Sequence, residues 1–246
     1  MQNIPISLQM FSLRALWETN PLEAMKTVKN AGYQGVEFYG QHYKADLYAA
    51  LLKECGVVCS GWHVMYADLD NDFDLMAERN KAVGNDLMVV PVFNADTAKE
   101  WYQFAEKLNT YAEKCAPLGM QIGYHNHAHE FRLVDGERPW DIIVRETVPE
   151  VCLQMDVGHV MNGGCDPVAE LAKFSGRTRS IHFKPFSHEL KFEVPIGEDD
   201  VDWQGCLAYC REKGNTRWLV IEYTPQEDPA GAVTKSAAAL RKICGC

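Results

Sequence analysis

Short apolar runs alternate with longer stretches of helical periodicity along the whole chain. Eight of these runs have the length and composition of strands that are buried on both faces. They span residues 6–12, 35–39, 58–64, 87–92, 121–127, 152–157, 178–184 and 218–223. Strands that alternate with helices in this manner are typical of a parallel α/β architecture.

Helix-capping residues between the runs support the same division. Three predicted helices begin with a capping side chain before a proline, at Asn20-Pro21, Asp166-Pro167 and Asp228-Pro229. Glycines that can form left-handed C-caps follow predicted helices at Gly32, Gly56, Gly84, Gly119, Gly176 and Gly214. Eight strands in 246 residues predict a single (β/α)₈ TIM barrel domain over residues 1–246. The alternative, a doubly wound open sheet, lacks its G-x-G-x-x-G fingerprint after the first strand.

Composition narrows the choice of partner. With 47% hydrophobic residues, 24% charged residues and a net charge of −10, the chain has a sizeable core and a field that repels phosphate backbones. We therefore expect a small-molecule partner, a sugar or polyol, rather than nucleic acid or a membrane; self-association into a homo-oligomer stays open. Nine cysteines without a C-x-x-C pair and a start without a secretory pattern predict reduced thiols in a cytoplasmic protein.

Candidate chemistry gathers where the predicted strands end. Five of the eight histidines lie at or just beyond those ends, namely His63, His125, His127, His159 and His182. In a barrel, the active site lies at this end of the strands. Glu37, Asp156 and Glu222 also sit in apolar runs, where an ionised carboxylate is costly unless a cation compensates for its lost hydration.

A metal ion is the simplest compensation. Asp156, His182 and Glu222 come from the predicted strands six, seven and eight, which are neighbours in a barrel and could meet around one divalent ion. Their mixed oxygen and nitrogen donors suit Mn²⁺, Mg²⁺, Co²⁺ or Zn²⁺. The fourth ligand could be His125, His127 or Glu130. We predict Glu130, because a carboxylate adds charge compensation and its loop can bend back.

The remaining polar residues suggest a reaction. His127 and His159 are candidates for proton transfer, because a histidine titrates near neutral pH, and Lys184 for stabilising an oxyanion. Glu37, His63 and His125 are predicted to bind substrate. Five aromatic residues near strand ends could stack on a sugar, although core packing is the favoured interpretation: Phe11, Phe38, Tyr39, Trp62 and Phe93.

Four motifs together resemble the sugar phosphate isomerase/epimerase superfamily, the xylose isomerase-like barrels: Tyr-His125-Asn-His127, Asp156-x-x-His159, Ile-His182-Phe-Lys184 and Ile-Glu222. The resemblance covers essentially the whole chain. It implies one Mn²⁺-like ion, with Asp156, His182 and Glu222 at matching ligand positions. Ketose epimerases of this superfamily usually carry a glutamate where this chain has His125, and the His-Asn-His sequence looks closer to the inosose dehydratase-like and uncharacterised isomerase branches.

The function expected on these grounds is that of a metal-dependent sugar isomerase or epimerase. Such an enzyme removes a proton next to a carbonyl, and the metal stabilises the enediolate. A dehydratase or lyase acting on an inosose or keto-glycoside is the alternative within the same chemistry. Two other classes stay open: a non-catalytic sugar-binding or partner subunit, and an endonuclease IV-like repair nuclease, which the missing glutamate on strand five and the negative charge disfavour.

Overall fold

The structure, a computed structural model, describes residues 3–40, 43–225 and 227–245. Eight parallel strands occupy the predicted positions: β1 (Ile6–Gln9), β2 (Gly35–Phe38), β3 (Val58–His63), β4 (Leu87–Val90), β5 (Gln121–His125), β6 (Cys152–Gln154), β7 (Ser180–Phe183) and β8 (Trp218–Ile221). All eight end one to three residues earlier than predicted. His127, Asp156, Lys184 and Glu222 therefore lie in the segments that follow the strands.

Eleven α-helices are present in the described part of the chain: α1 (Arg14–Thr19), α2 (Pro21–Asn30), α3 (Ala45–Cys55), α4 (Tyr66–Asn71), α5 (Phe73–Ala82), α6 (Ala98–Cys115), α7 (Pro139–Glu146), α8 (Val157–Asn162), α9 (Pro167–Leu171), α10 (Trp203–Glu212) and α11 (Pro229–Cys244). The three predicted capping side chains, Asn20, Asp166 and Asp228, each accept a hydrogen bond from the first turn. The predicted left-handed turn at Gly214 is wrong: Asn215 adopts it instead, at φ 55°.

The strands pair in the order β6-β5-β4-β3-β2-β1-β8-β7, so β1 pairs with β8, every other pair joins consecutive strands, and β6 and β7 form the two ends of the sheet. Between β6 and β7, a parallel bridge joins Asp156 to His182, and the His182 N–H donates to Met155 O at 2.8 Å. The sheet is thus a nearly closed barrel with helices between the strands. The TIM barrel prediction is confirmed, and the open-sheet alternative is wrong.

Apolar side chains fill the layer between strands and helices, where Trp62, Trp101 and Trp140 are buried completely. The lumen is different, because it holds buried polar side chains from most of the strands, among them Gln9, Glu37, Ser60, His63, Gln154, Ser180 and His182. Such groups are stable inside a protein only when they bond to one another or to a ligand. The polar lumen therefore leads directly to the mouth of the barrel and to the candidate site.

No described helix is long and apolar enough to cross a membrane.

Candidate active site

A cavity of about 300 Å³ opens at the C-terminal end of the barrel, between His63, His125, His127 and Glu222. Its volume is at the lower end of the range for small-ligand pockets. The rings of Phe11 and Tyr39 form one wall, with their centroids 5.3 Å apart. Two other predicted aromatic residues, Phe38 and Trp62, are completely buried in the core, as the favoured interpretation expected, and Phe93 stacks on Phe104 at 4.0 Å.

Four side chains bring metal-ligating atoms together at the base of this mouth. His125 ends β5, Asp156 follows β6, His182 lies in β7 and Glu222 follows β8. One donor atom from each lies within 4.8 Å of all the others. These four residues, called the donor group below, come from four successive strands, as expected for groups that converge at one end of a barrel. Three of them, Asp156, His182 and Glu222, are the residues that the sequence expected to meet, and the structure brings them together.

Asp156 shows that the donor group fits a cation. Its carboxylate is completely buried; Oδ1 accepts from the His159 N–H at 2.8 Å and caps α8, whereas Oδ2 has no hydrogen-bond partner. The nearest basic atom to Oδ2 is His182 Nδ1, at 3.8 Å. Burial raises the pKa of Asp156 to about 7. An orphaned carboxylate oxygen facing an imidazole and a second carboxylate is a position that a divalent metal ion would occupy.

The charges balance around one divalent ion. Glu222 lies 3.0 Å from His182 Nδ1 and 2.6 Å from the Lys184 ammonium. Burial opposes ionisation of Glu222, but Lys184 and His182 outweigh it and keep its pKa well below the usual range. The carboxylates of Glu37, Asp156 and Glu222 with the Lys184 ammonium leave two negative charges, which one divalent ion cancels if the histidines are neutral. Without an ion, burial opposes protonation of His182, but Glu37 and Glu222 raise its pKa to about 10.

Glu130, the predicted fourth ligand, lies outside the donor group. Its Oε1 accepts from the Tyr124 hydroxyl at 2.6 Å and its Oε2 from the His127 N–H at 2.9 Å. Tyr124 packs on Phe104 of α6, outside the barrel, because neighbouring residues of a strand face opposite sides. The short helical turn His129–Phe131 thus holds Glu130 on the wrong side of β5, and the geometry favours His125 as the fourth donor.

His127 and His159, the predicted proton-transfer residues, lie side by side with ring centroids 4.6 Å apart. The Nδ1 atom of each is buried and has no hydrogen-bond partner. Burial lowers the pKa of His127 to about 4 and holds the pKa of His159 well below its usual range. Both are therefore neutral near pH 7, and the pair can exchange protons with a substrate in the cavity, whose wall includes His127.

Lys184 lies close to the donor group, as predicted, although Glu222 neutralises its charge. Its ammonium sits 5.3 Å from the centre of the Phe192 ring, and the same ring contacts His159 at 5.0 Å. Phe192, which the sequence did not single out, therefore shields both polar groups from water. A lone aromatic residue in a long loop gave no sequence signal for this position.

The predicted substrate contact of Glu37 does not fit the structure. Its side chain is 0% exposed and is absent from the cavity wall. Gln9 and Gln154, both overlooked in the sequence, surround it with His63 and His182. A sequence signal for the glutamines existed, since each is a lone amide in a strand that is otherwise closely packed. His63 and His125, the other two predicted contacts, do line the cavity.

Gly158 is the point where α8 approaches β7. A Cβ atom built on it would lie 2.6 Å from the Lys184 carbonyl oxygen, which is too close for any real contact. We expect Gly158→Ala to destabilise the fold by about 1–3 kcal/mol, the usual cost of overpacking, and to weaken metal binding by displacing Lys184 and Glu222. Thermal melting and metal titration measure the two effects; an unchanged melting temperature would contradict this close approach.

Comparison with known proteins agrees with this architecture. An inosose dehydratase from Geobacillus kaustophilus is 28% identical over 165 residues, which cover 59% of this chain and 52% of that protein. The chain thus spans about half of that relative. A sugar phosphate isomerase/epimerase from Parabacteroides distasonis has the same fold, with a TM-score of 0.84, 20% identity and coverage of 98% of this chain and 94% of the other.

A structure of the IOLI protein with a bound zinc atom superposes with a TM-score of 0.76, at 16% identity and over 98% of each chain. The family model for xylose isomerase-like TIM barrels matches residues 25–243, which include every residue of the donor group. Since that match runs through all strands from β2 to β8 of the nearly closed barrel, the chain belongs to the xylose isomerase-like TIM barrel family.

Proposed function

We propose that the protein is a divalent-metal-dependent enzyme that removes a proton from the carbon next to the carbonyl of a sugar-like polyol. The observation that carries this proposal is the orphaned Oδ2 of Asp156 within the donor group, beside two neutral histidines. A bound divalent ion supplies positive charge that offsets the negative charge developing on the substrate during proton abstraction. His125, Asp156, His182 and Glu222 would hold it.

The donor set also indicates which ion. Two imidazoles and two carboxylates suit Mn²⁺, Co²⁺ and Zn²⁺, whereas Mg²⁺ prefers oxygen ligands and retains several waters. We propose Mn²⁺ as the working ion, and the zinc in the IOLI structure supports a transition metal in a related barrel. The ring wall of Phe11 and Tyr39 and the 300 Å³ cavity fit a single polyol ring.

Dehydration is favoured over two-base epimerisation by the state of the carboxylates. Glu37, Glu130 and Glu222 each accept a strong hydrogen bond at 2.6 Å, and Asp156 belongs to the donor group. The uncommitted acid–base groups among the described residues at this site are therefore the adjacent His127 and His159. One neutral histidine can remove the proton from carbon, and the imidazolium that this forms can deliver the same proton, directly or through its neighbour, to the departing hydroxyl, which leaves as water. The name of the Geobacillus relative supports the same outcome.

Isomerisation through a single base remains the second candidate, because one histidine can return the proton to the neighbouring carbon. The test is a screen of keto and aldo sugars, inososes and keto-glycosides in deuterium oxide with added Mn²⁺. We expect deuterium uptake next to a carbonyl that depends on the metal. A product lighter by one water indicates dehydration, and an unchanged composition indicates isomerisation. Binding of a sugar without exchange or product would favour a non-catalytic subunit instead.

A further inference from the structure

The polar lumen beneath the donor group is centred on Glu37. Its Oε2 lies 2.6 Å from His182 Nε2, 2.9 Å from His63 Nε2 and 3.0 Å from Gln9 Nε2. Its Oε1 lies 2.7 Å from Gln154 Nε2. One carboxylate that no substrate can reach thus contacts side chains of β1, β3, β6 and β7, two of them histidines. Because an ionised carboxylate only accepts hydrogen bonds, every one of these neighbours must donate to it.

That requirement fixes the orientation of Gln154 first. Its amide nitrogen must face Glu37, so its carbonyl oxygen must face the other way. The oxygen lies 3.1 Å from His125 Nδ1 and 2.8 Å from His63 Nε2. Since an amide oxygen also only accepts, the proton of neutral His125 belongs on Nδ1. The lone pair of His125 is then on Nε2, which is left to ligate the ion.

His182 is fixed directly. Its Nε2 faces Glu37 Oε2 at 2.6 Å, so the proton of the neutral ring belongs on Nε2. Its Nδ1 lone pair then points between Glu222 Oε2, at 3.0 Å, and Asp156 Oδ2, at 3.8 Å. This is the arrangement in which a carboxylate behind a ligating histidine sets its tautomer and orientation.

The hydrogen bonds of His63 keep it from ligating the ion. Its Nε2 lies between two acceptors, Glu37 Oε2 at 2.9 Å and Gln154 Oε1 at 2.8 Å, and therefore carries the proton. Its Nδ1 accepts from Gln9 Nε2 at 3.4 Å, and the Phe11 N–H donating to Gln9 Oε1 fixes that amide. His63, His125 and His182 form a second group of potential donors within 4.8 Å of one another, but this tautomer leaves His63 no free lone pair.

We infer that Glu37 is a positioning residue that chooses between the two possible metal sites of the barrel. It directs the lone pairs of His182 and, through Gln154, of His125 toward Asp156 and Glu222, and it withholds His63 from coordination. The inference rests on the metal site of the proposed function. It gives Glu37 a role in selecting the metal site, which the predicted substrate contact would not give it.

Zn²⁺ titration of the protein tests the inference without any assay of activity. Glu37→Gln keeps the side-chain volume but removes the charge and lets the amide donate to His182. We expect Zn²⁺ affinity to fall about 10- to 100-fold, the usual effect of losing a carboxylate behind a metal-ligating histidine. Long-range ¹⁵N NMR of the Zn²⁺-loaded wild type should show His182 protonated on Nε2 and His125 protonated on Nδ1.

Glu170→Gln is the matched control. Glu170 is 5% exposed and pairs with Arg138 and Lys173 far from the lumen, so its replacement removes a buried carboxylate but should leave Zn²⁺ affinity unchanged. If Glu37→Gln fails to fold, Gln154→Met tests the other arm. It should weaken Zn²⁺ binding and release His125 from its single tautomer, while His182 keeps its own.

Either of two results would overturn this inference but leave the proposed function standing. One is wild-type Zn²⁺ affinity in both Glu37→Gln and Gln154→Met. The other is a Zn²⁺-loaded wild type in which His182 carries its proton on Nδ1. Failure of the wild type to bind any Zn²⁺, Mn²⁺ or Co²⁺ is a different result. It would remove the metal site of the proposed function, and the inference with it, so the two failures can be told apart.

Discussion

Asp156→Asn should abolish tight metal binding and, in the same variant, raise the melting temperature of the metal-free protein. Metal affinity should fall more than about 100-fold, since even the loss of a group behind a ligand costs 10- to 100-fold. The stabilisation follows from burial without a partner: Oδ2 of Asp156 accepts no hydrogen bond. The asparagine Oδ1 can still accept from His159 and cap α8, as the carboxylate does.

The pKa of Asp156 predicts how the second effect, the stabilisation of the metal-free variant, depends on pH. Burial raises the pKa of folded Asp156 to about 7, against 3.8 ordinarily. Between these values the folded protein holds a proton that the unfolded chain has released, so this group lowers stability as pH rises through that window. Each unit of pKa corresponds to about 1.4 kcal/mol. The advantage of metal-free Asp156→Asn should therefore grow from pH 4 to pH 7 and then level off.

Asp141→Asn is a suitable control because the contribution of Asp141 to stability changes with pH in the opposite direction. Asp141 pairs with Arg138 at 2.7 Å and Lys173 at 3.0 Å. Burial opposes its ionisation, but these cations outweigh it and lower the pKa of Asp141. Its contribution to stability is present above the unfolded pKa and lost as the pH falls, and its replacement should leave metal content unchanged. Full metal occupancy in Asp156→Asn, measured by elemental analysis, would remove Asp156 from the donor group.

The sequence predicted the barrel well because the signals for it are local. Strand runs and the caps at Asn20, Asp166 and Asp228 depend on residues close in the chain. Convergence of Asp156, His182 and Glu222 follows from strand order, which periodicity also reveals. The fourth donor was not predictable in this way: whether His125 or Glu130 turns inward depends on the short helical turn after β5 and on the Tyr124 hydroxyl that takes up Glu130.

The polar lumen was the feature least visible in the sequence. Gln9 and Gln154 are single amides in apolar strands, and only the 2.7 to 3.0 Å distances across the barrel reveal their bonds to Glu37. A glutamate at a strand end looks like a substrate contact until its exposure is known. Glu37 has no exposed surface, so its replacement is expected to change metal affinity rather than substrate affinity.

The second large effect is expected at the histidine pair. His127→Gln should lower turnover on a confirmed substrate by about 100- to 10,000-fold, the range typical of a lost general acid or base, while metal content stays normal. His127 lines the cavity, and its unpartnered Nδ1 and lowered pKa leave it neutral and able to accept a proton. His159, packed behind it against Phe192, should matter less when replaced by glutamine.

His129→Gln separates this role from a general effect of losing a ring. The His129 ring lies 6.0 Å from that of His127, but its Nε2 is bonded to the Phe93 carbonyl oxygen at 3.0 Å, so its replacement should leave turnover near that of the wild type. The measurement is solvent deuterium exchange into the substrate by each single variant. Wild-type exchange in both His127→Gln and His159→Gln would take histidine out of the proton transfer. Neither buried glutamate could take the role directly, because Glu37 and Glu130 both have no exposed surface from which to reach a substrate, and Glu130 already accepts from the Tyr124 hydroxyl and the His127 N–H.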